Sequence, residues 1–127
     1  MTPSAPLLST LEIFLQLTQR REQAISANMA NVDTPGYHTR DINFEGELNK
    51  AMNGAMVLPG GGVVTVQLHP VVDEVPGLME RPDGNNVSLD REGLLMSETQ
   101  LQYQIGVQLV KHQFHQILSA INGGTSS

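Results

Sequence analysis

The first 33 residues carry apolar side chains at alternating steps of three and four positions. Six of the eight positions on this line are apolar, and Thr18 and Glu22 interrupt it. A repeat of about 3.5 residues is typical of a helix that packs along a partner helix. We therefore predict a helix over residues 4–31 that is stopped by Pro35 and Gly36, because proline disfavours helical backbone in the residue before it. The apolar positions are Leu8, Leu11, Leu15, Ile25, Met29 and Val32.

The last third of the chain repeats this spacing. Ser88 can cap a helix start, and Asp90 and Glu92 lie in the first turn, where the helix dipole favours acidic side chains. Gly123 and Gly124 mark the end. We predict a helix over residues 88–122 with a seam in which seven of eight positions are apolar. The seam is Met96, Gln100, Tyr103, Val107, Val110, Phe114, Ile117 and Ile121, and it is flanked by Leu94, Leu101, Ile105 and Leu109.

The residues between the two predicted helices are rich in glycine and proline. Residues 63–68 are rich in β-branched side chains and alternate between two faces, which predicts a short strand. Residues 71–75 are a second candidate strand. Residues 83–86 read Asp-Gly-Asn-Asn, which is a strong turn signal.

Together these patterns predict a mainly α fold. The long N- and C-terminal helices pair as a coiled coil, with a Gly/Pro-rich middle segment of loops and short β-strands. The expected boundaries are 1–33 and 88–123 for the two helices of the coiled-coil core, 34–87 for the insert and 124–127 for a polar tail. Two helices alone bury few side chains relative to the backbone entropy that folding removes, so we expect them to complete their burial against neighbouring subunits.

Composition and charge exclude several classes of protein. The chain has 127 residues, no cysteine and a formal charge of −6, with seven Lys and Arg residues. These numbers exclude a disulfide scaffold, and they argue against nucleic acid as a partner because no basic stripe is present. No apolar run reaches the length of a membrane span, so we expect no direct membrane insertion. No convincing cleavable signal precedes Arg20, which leaves a cytoplasmic protein or export without a cleaved signal.

Side chains that carry chemistry are few. His112 and His115 stand three positions apart on the C-terminal helix, a spacing that places two ligands on one face. No further ligand is indicated nearby, so solvent-facing histidines are the better interpretation. We expect no catalytic residue, no metal and no cofactor.

Two motifs are more specific than the composition. Residues 26–37 read Ser-Ala-Asn-Met-Ala-Asn-Val-Asp-Thr-Pro-Gly-Tyr, and residues 83–92 read Asp-Gly-Asn-Asn-Val-Ser-Leu-Asp-Arg-Glu. The first resembles the N-terminal signature of the bacterial flagellar rod, hook and hook-associated proteins, and the second is similar to the start of their C-terminal helix. Residues 38–44 and the short length are similar to the proximal-rod subtype. Gly93 departs from the family, which usually has an apolar helix former there, and Ser88 stands where Asp is usual.

The resemblance implies a structural subunit of the proximal rod. Copies would stack helically around the export channel and transmit torque from the membrane ring to the distal rod and hook. The implied partners are further copies, other rod proteins, the ring–rod junction protein, the membrane-ring protein and the flagellar type III export apparatus, and the implied location is the periplasmic rod of the basal body. The expected interface residues are Leu8, Leu11, Leu15, Ile25, Asn28, Asn31, Pro35, Gly36, Tyr37, Arg40, Asp41, Tyr103, Val107, Val110, Phe114, Ile117 and Ile121.

Two alternatives come from other functional classes. A cytoplasmic regulatory coiled-coil module would explain the amphipathic helices and the acidic charge, but it would not explain the first motif. A small metal-dependent enzyme built on His112 and His115 is a more distant possibility.

Overall fold

The computed structural model describes residues 5–54 and 68–123. The chain forms helix α1 (Ala5–Ala30), strand β1 (Arg40–Ile42), helix α2 (Phe44–Gly54), strand β2 (Val72–Glu74) and helix α3 (Leu89–Gly123). The protein is therefore mainly helical, as the sequence predicts. Among the described residues, none of the helices combines the length with the apolar character that crossing a bilayer requires.

Helices α1 and α3 lie side by side and run in opposite directions. Asn28 contacts Glu92 near one end, and Phe14 and Leu15 lie against Gly106 further along. Fourteen residues separate Asn28 from Phe14, and fourteen separate Glu92 from Gly106. This antiparallel register places Ala5, the first described residue of α1, level with His115. The rest of α3 extends past that level.

The face of α3 that α1 covers differs from the predicted seam. The buried positions of α3 are Glu92, Thr99 and Gly106, which follow each other at intervals of seven residues. The predicted seam lies beside this line and is covered only in part: Met96, Tyr103, Val107, Val110 and Ile117 are half-buried, and Gln100, Phe114 and Ile121 are exposed. Thr18, an interruption in the predicted pattern, is fully buried, and its Oγ1 donates to the Leu15 carbonyl at 2.7 Å.

A small apolar core forms on the other side of α1. Its buried members come from three elements, and Phe44, Leu48 and Leu68 pack against them. The rings of Phe14 and Phe44 meet edge to face with centroids 5.4 Å apart. Helix α1 is thus covered on two sides, by α3 and by the middle segment. The buried members are Ile13, Leu17, Ile42 and Ala51.

The sequence predicts only loops and short strands for the middle segment. This prediction is wrong for residues 44–54, which form helix α2. Asn43 caps the helix, because its Oδ1 accepts the Gly46 N–H at 3.1 Å. Glu45 and Glu47 occupy the first turn, where acidic side chains are favoured. Apolar residues at 44, 48 and 51 face the core at helical spacing.

The two strands form an antiparallel ribbon in which Asp41 lies opposite Asp73. Strand β2 falls within the predicted second strand at residues 71–75, which is confirmed. Strand β1 is not predicted. Residues 63–67 of the other predicted strand lie outside the described residues, and Leu68 belongs to no strand.

Candidate functional site

The buried amide of Asn28 joins three parts of the chain. Its Oδ1 accepts the Arg40 backbone N–H at 3.0 Å and the Tyr37 hydroxyl at 3.0 Å. Its Nδ2 donates to the Arg40 carbonyl at 2.8 Å and to the carboxylate of Glu92 at 3.1 Å. The Asn28 side chain therefore pairs with both backbone polar groups of Arg40 on the free edge of β1, as a neighbouring strand would. It also connects that strand to the start of α3.

Glu92 is a fully buried carboxylate with two partners. Arg91 donates to its Oε1 at 2.9 Å, and Asn28 donates to its Oε2 at 3.1 Å. Both oxygens are therefore satisfied, which offsets the cost of removing the carboxylate from water. The hydrogen bond between Asn28 and Glu92 fixes the position of α3 relative to α1.

The two sequence motifs contact each other directly, and we call residues 28–40 and 81–92 together the motif junction. The Asn85 side chain, also fully buried, donates to the carbonyls of Asn31 and Thr34, both at 2.9 Å. Its Oδ1 accepts the Val87 N–H at 2.8 Å. These two carbonyls also accept the backbone N–H groups of Thr34 and Tyr37, at 3.0 and 3.1 Å. Asn85 is therefore a second donor to each of them, and it ties the segment before α3 to the turn that follows α1. The guanidinium of Arg81 adds hydrogen bonds to the carbonyls of Val32 and Val87.

Two glycines in the motif junction touch. Gly36 and Gly84 have φ values of +76° and +85°, a backbone region that side chains disfavour. The Gly36 N–H donates to the Asp83 carbonyl at 2.9 Å, and a Cβ on Gly84 would lie 3.2 Å from the Gly36 Cα. Glycine at position 84 is therefore required by its conformation and by its neighbour. The Gly84 N–H donates to the Arg81 carbonyl at 2.9 Å, so a turn forms over residues 81–84 and overlaps only the first half of the turn predicted at 83–86.

Ion pairs connect the motif junction and strand β1 to the neighbouring elements. Arg21 on α1 donates two hydrogen bonds to the half-buried carboxylate of Asp41, at 3.2 and 3.1 Å. His38 lies between Glu74 and Glu80, with ring nitrogens 3.3 and 3.1 Å from their carboxylate oxygens. The hydrogen bond to Glu80 raises the pKa of His38 above its ordinary value, and the hydrogen bond to Glu74 adds a smaller increase.

The predicted interface residues differ in their exposure and in their contacts within the chain. Leu11, Ile25 and Asn28 are buried inside the chain, and Tyr37 and Asp41 make hydrogen bonds within it. Those five contribute to the fold of the single subunit. Half-buried positions are Leu8, Leu15, Asn31, Tyr103, Val107, Val110 and Ile117, and exposed positions are Pro35, Gly36, Arg40, Phe114 and Ile121.

An exposed apolar line on α3 is absent from the predicted interface residues. Leu94, Leu101, Ile105 and Leu109 are 47–70 % exposed and point away from α1. Three of them, Leu101, Ile105 and Leu109, line a shallow groove of about 410 Å³ together with Gln104 and Gln108. Their helical spacing is visible in the sequence, where they flank the seam, but the apolar spacing of the seam is the more regular of the two.

The two histidines of α3 lie on its surface. His112 and His115 are both exposed, and the His112 ring contacts Gln116 at 3.1 Å. Within residues 5–54 and 68–123, no three His, Cys, Asp or Glu side chains are grouped so that they could hold an ion.

Comparison with known proteins gives one consistent family. A sequence model described as flagella basal body rod protein matches residues 15–38. The flagellar basal body rod protein FlgB of Salmonella typhimurium is 34 % identical over 122 residues, which cover 87 % of this chain and 88 % of the relative. FlgB of Escherichia coli is 30 % identical with the same two coverages, and FlgB of Yersinia ruckeri is 32 % identical, covering 87 % of this chain and 89 % of the relative.

The resemblance expected from the two motifs is thereby confirmed, and it extends well beyond them. The shared length includes the motif junction, where Asn28, Asn31, Gly36, Asn85 and Glu92 make the contacts described above. The chain belongs to the flagellar basal body rod protein FlgB family.

Proposed function

We propose that the chain is a structural subunit of the flagellar rod and has no enzymatic role. Copies assemble helically with other rod proteins around the export channel and transmit torque from the membrane ring to the distal rod and hook. Family membership supports the rod assignment. The observation that carries the assembly role is the amount of apolar surface that α3 leaves uncovered.

Part of that surface lies in the last turns of α3. Phe114, Leu118 and Ile121 are 60, 44 and 61 % exposed. The described part of α1 begins level with His115, and Leu118 and Ile121 lie beyond that level. Large apolar side chains clustered on an exposed helix are characteristic of contact surfaces between proteins.

The paired helices also fit a coiled-coil core that is completed by neighbours. The intervals of seven residues between Glu92, Thr99 and Gly106 are heptad intervals. We infer that residues 1–33 and 88–123 of each copy form an inner layer in which neighbouring copies cover the exposed side of α3. Residues 34–87 lie outward, and residues 124–127 form a polar tail.

The proposed partners follow from the same position. They are further copies of this chain, other rod proteins, the ring–rod junction protein and the membrane-ring protein. The subunit reaches the periplasmic rod through the flagellar type III export apparatus, without a cleaved signal peptide.

Deletion of the gene tests this function. Electron microscopy of basal bodies from the deletion strain should show the membrane ring without rod, hook or filament, and swimming should be lost. A plasmid copy of the gene should restore both. Intact flagella and normal swimming in the deletion strain would contradict the proposal and would favour the cytoplasmic regulatory module.

A further inference from the structure

The loop that follows β2 exposes one apolar side chain almost completely. Met79 is 91 % exposed, on a loop that turns at Pro76 and Gly77, where Gly77 has a φ of +81°. Methionine is flexible and adapts to irregular apolar surfaces. An isolated side chain of this kind can act as an anchor that fills a pocket on another molecule.

A matching groove lies elsewhere on the same chain. The groove on α3 is open, and its apolar wall is formed by Leu101, Ile105 and Leu109, with Gln104 and Gln108 at its edge. In the part of the chain that the structure describes, no charged side chain lines it. It lies on the side of α3 away from α1, so a second molecule can reach it.

The charges around the anchor and the groove are complementary. Four acidic residues lie near the anchor, Asp73 and Glu74 on β2 and Glu80 and Asp83 on the loop. They outnumber Arg81, which donates to backbone carbonyls, and His38, which lies between Glu74 and Glu80. The sequence contains no acidic residue after Glu98. Lys111 and His112 follow Gln108 by three and four residues, which places them on the groove side of α3.

We propose that the Met79 loop of one copy docks into the α3 groove of a second copy. Met79 enters between Leu101, Ile105 and Leu109, and the carboxylates beside it approach Lys111. The two surfaces are different parts of the molecule, so the contact is head to tail and can repeat from copy to copy, as a helical assembly requires. This inference rests on the proposed function, for which it supplies one of the contacts between copies.

Cysteine cross-linking tests the contact in assembled flagella, because the natural chain has no cysteine. Two plasmid copies, Met79→Cys and Ile105→Cys, are expressed together in the deletion strain, and isolated basal bodies are oxidised. We expect a disulfide-linked dimer from the pair and none from either variant alone. Gln100→Cys replaces Ile105→Cys as the control, because Gln100 is exposed on α3 but does not line the groove.

Two outcomes would overturn the contact. One is the absence of a dimer from the Met79–Ile105 pair in basal bodies that contain both variants. The other is equal yield from the Met79–Gln100 pair. If neither variant is present in basal bodies, the proposed function fails instead, and the contact is then decided on the purified chain.

Sedimentation of the purified full chain gives that second test. Met79→Asp and Ile105→Glu should each weaken self-association by about tenfold or more, as the loss of an apolar anchor does. Met52→Asp is the control, because Met52 is an exposed methionine on α2 that does not line the groove. Glu80→Lys and Lys111→Glu should each weaken association alone and restore it when mixed. Unchanged association in Met79→Asp, or no restoration in the mixture, would refute the contact.

Discussion

Asn28 donates a side-chain hydrogen bond to Glu92, 3.1 Å away, and both side chains are buried although 64 residues separate them in the sequence. The bond links the end of the first long helix to the beginning of the last. Because the same amide also binds both backbone polar groups of Arg40, the junction orients three elements together. A buried polar contact of this kind fixes the register of two helices more specifically than apolar packing does.

Asn28→Ala should be strongly destabilising. It would leave the Arg40 backbone groups and one oxygen of Glu92 without their partner, so we expect a loss of about 2–4 kcal/mol in the free energy of unfolding. Urea denaturation followed by circular dichroism measures the change. Asn49→Ala is the control, because Asn49 is exposed on α2. Equal stability of the two variants would show that the junction contributes little.

Gly106 should respond differently from Gly93, although both lie in α3. A Cβ on Gly93 meets nothing within 4 Å, so Gly93→Ala should stabilise the helix by about 1 kcal/mol. A Cβ on Gly106 would lie 2.7 Å from Leu15 and 3.1 Å from the Phe14 ring, so Gly106→Ala should give no gain. Thermal unfolding of both variants tests the contact of α3 with α1, and an equal gain would contradict it.

Gly84 and Gly77 form a second matched pair, because both have positive φ. Alanine at Gly77 meets only the conformational cost of about 1 kcal/mol or more, since its surroundings are open. Alanine at Gly84 also collides with the backbone of Gly36, so Gly84→Ala should be the more destabilising variant. Denaturant midpoints of the two variants provide the comparison. If Gly77→Ala were at least as destabilising, the close approach of the two glycines would not matter.

The stability of the chain should depend on His38 between acidic and mildly alkaline pH. Because Glu80 and Glu74 raise the pKa of His38 above the ordinary value of 6.5, the protonated imidazole stabilises the folded state. That contribution is present in full below pH 6.5 and is lost as the pH rises through the raised pKa. The free energy of unfolding, measured across this range, should therefore show a decrease that His38→Gln lacks. The same pH profile in both proteins would rule out this role of His38.

The extent to which the sequence predicts the structure differs between its parts. Both long helices follow from apolar spacing and from Ser88, whose Oγ accepts the Arg91 N–H at 3.3 Å. Helix α2 had recognisable signals in Asn43 and the apolar spacing of Phe44 and Leu48, but the surrounding glycines and prolines favour a reading as loop. Strand β1 has only three residues, and its outer edge is completed by a side chain from a distant helix, which no local pattern reveals.

The contacts of the motif residues were harder to predict than the identity of the family. Asn28 and Tyr37 resemble residues of known rod proteins, and this suggests contacts between subunits. The structure shows them bonded to each other inside one chain. Spacing on a helix indicates which positions share a face, but it does not tell whether a polar side chain on that face binds the same molecule or a neighbour.

The central claim is that this chain is built into the flagellar rod. Hook–basal bodies purified from cells that carry an epitope-tagged, functional copy of the chain provide the most direct measurement, by quantitative mass spectrometry and by immunogold labelling. We predict several copies for each basal body and label at the rod, between the membrane ring and the hook. Absence of the chain from purified basal bodies, with all of it in the cytoplasmic fraction, would contradict the claim.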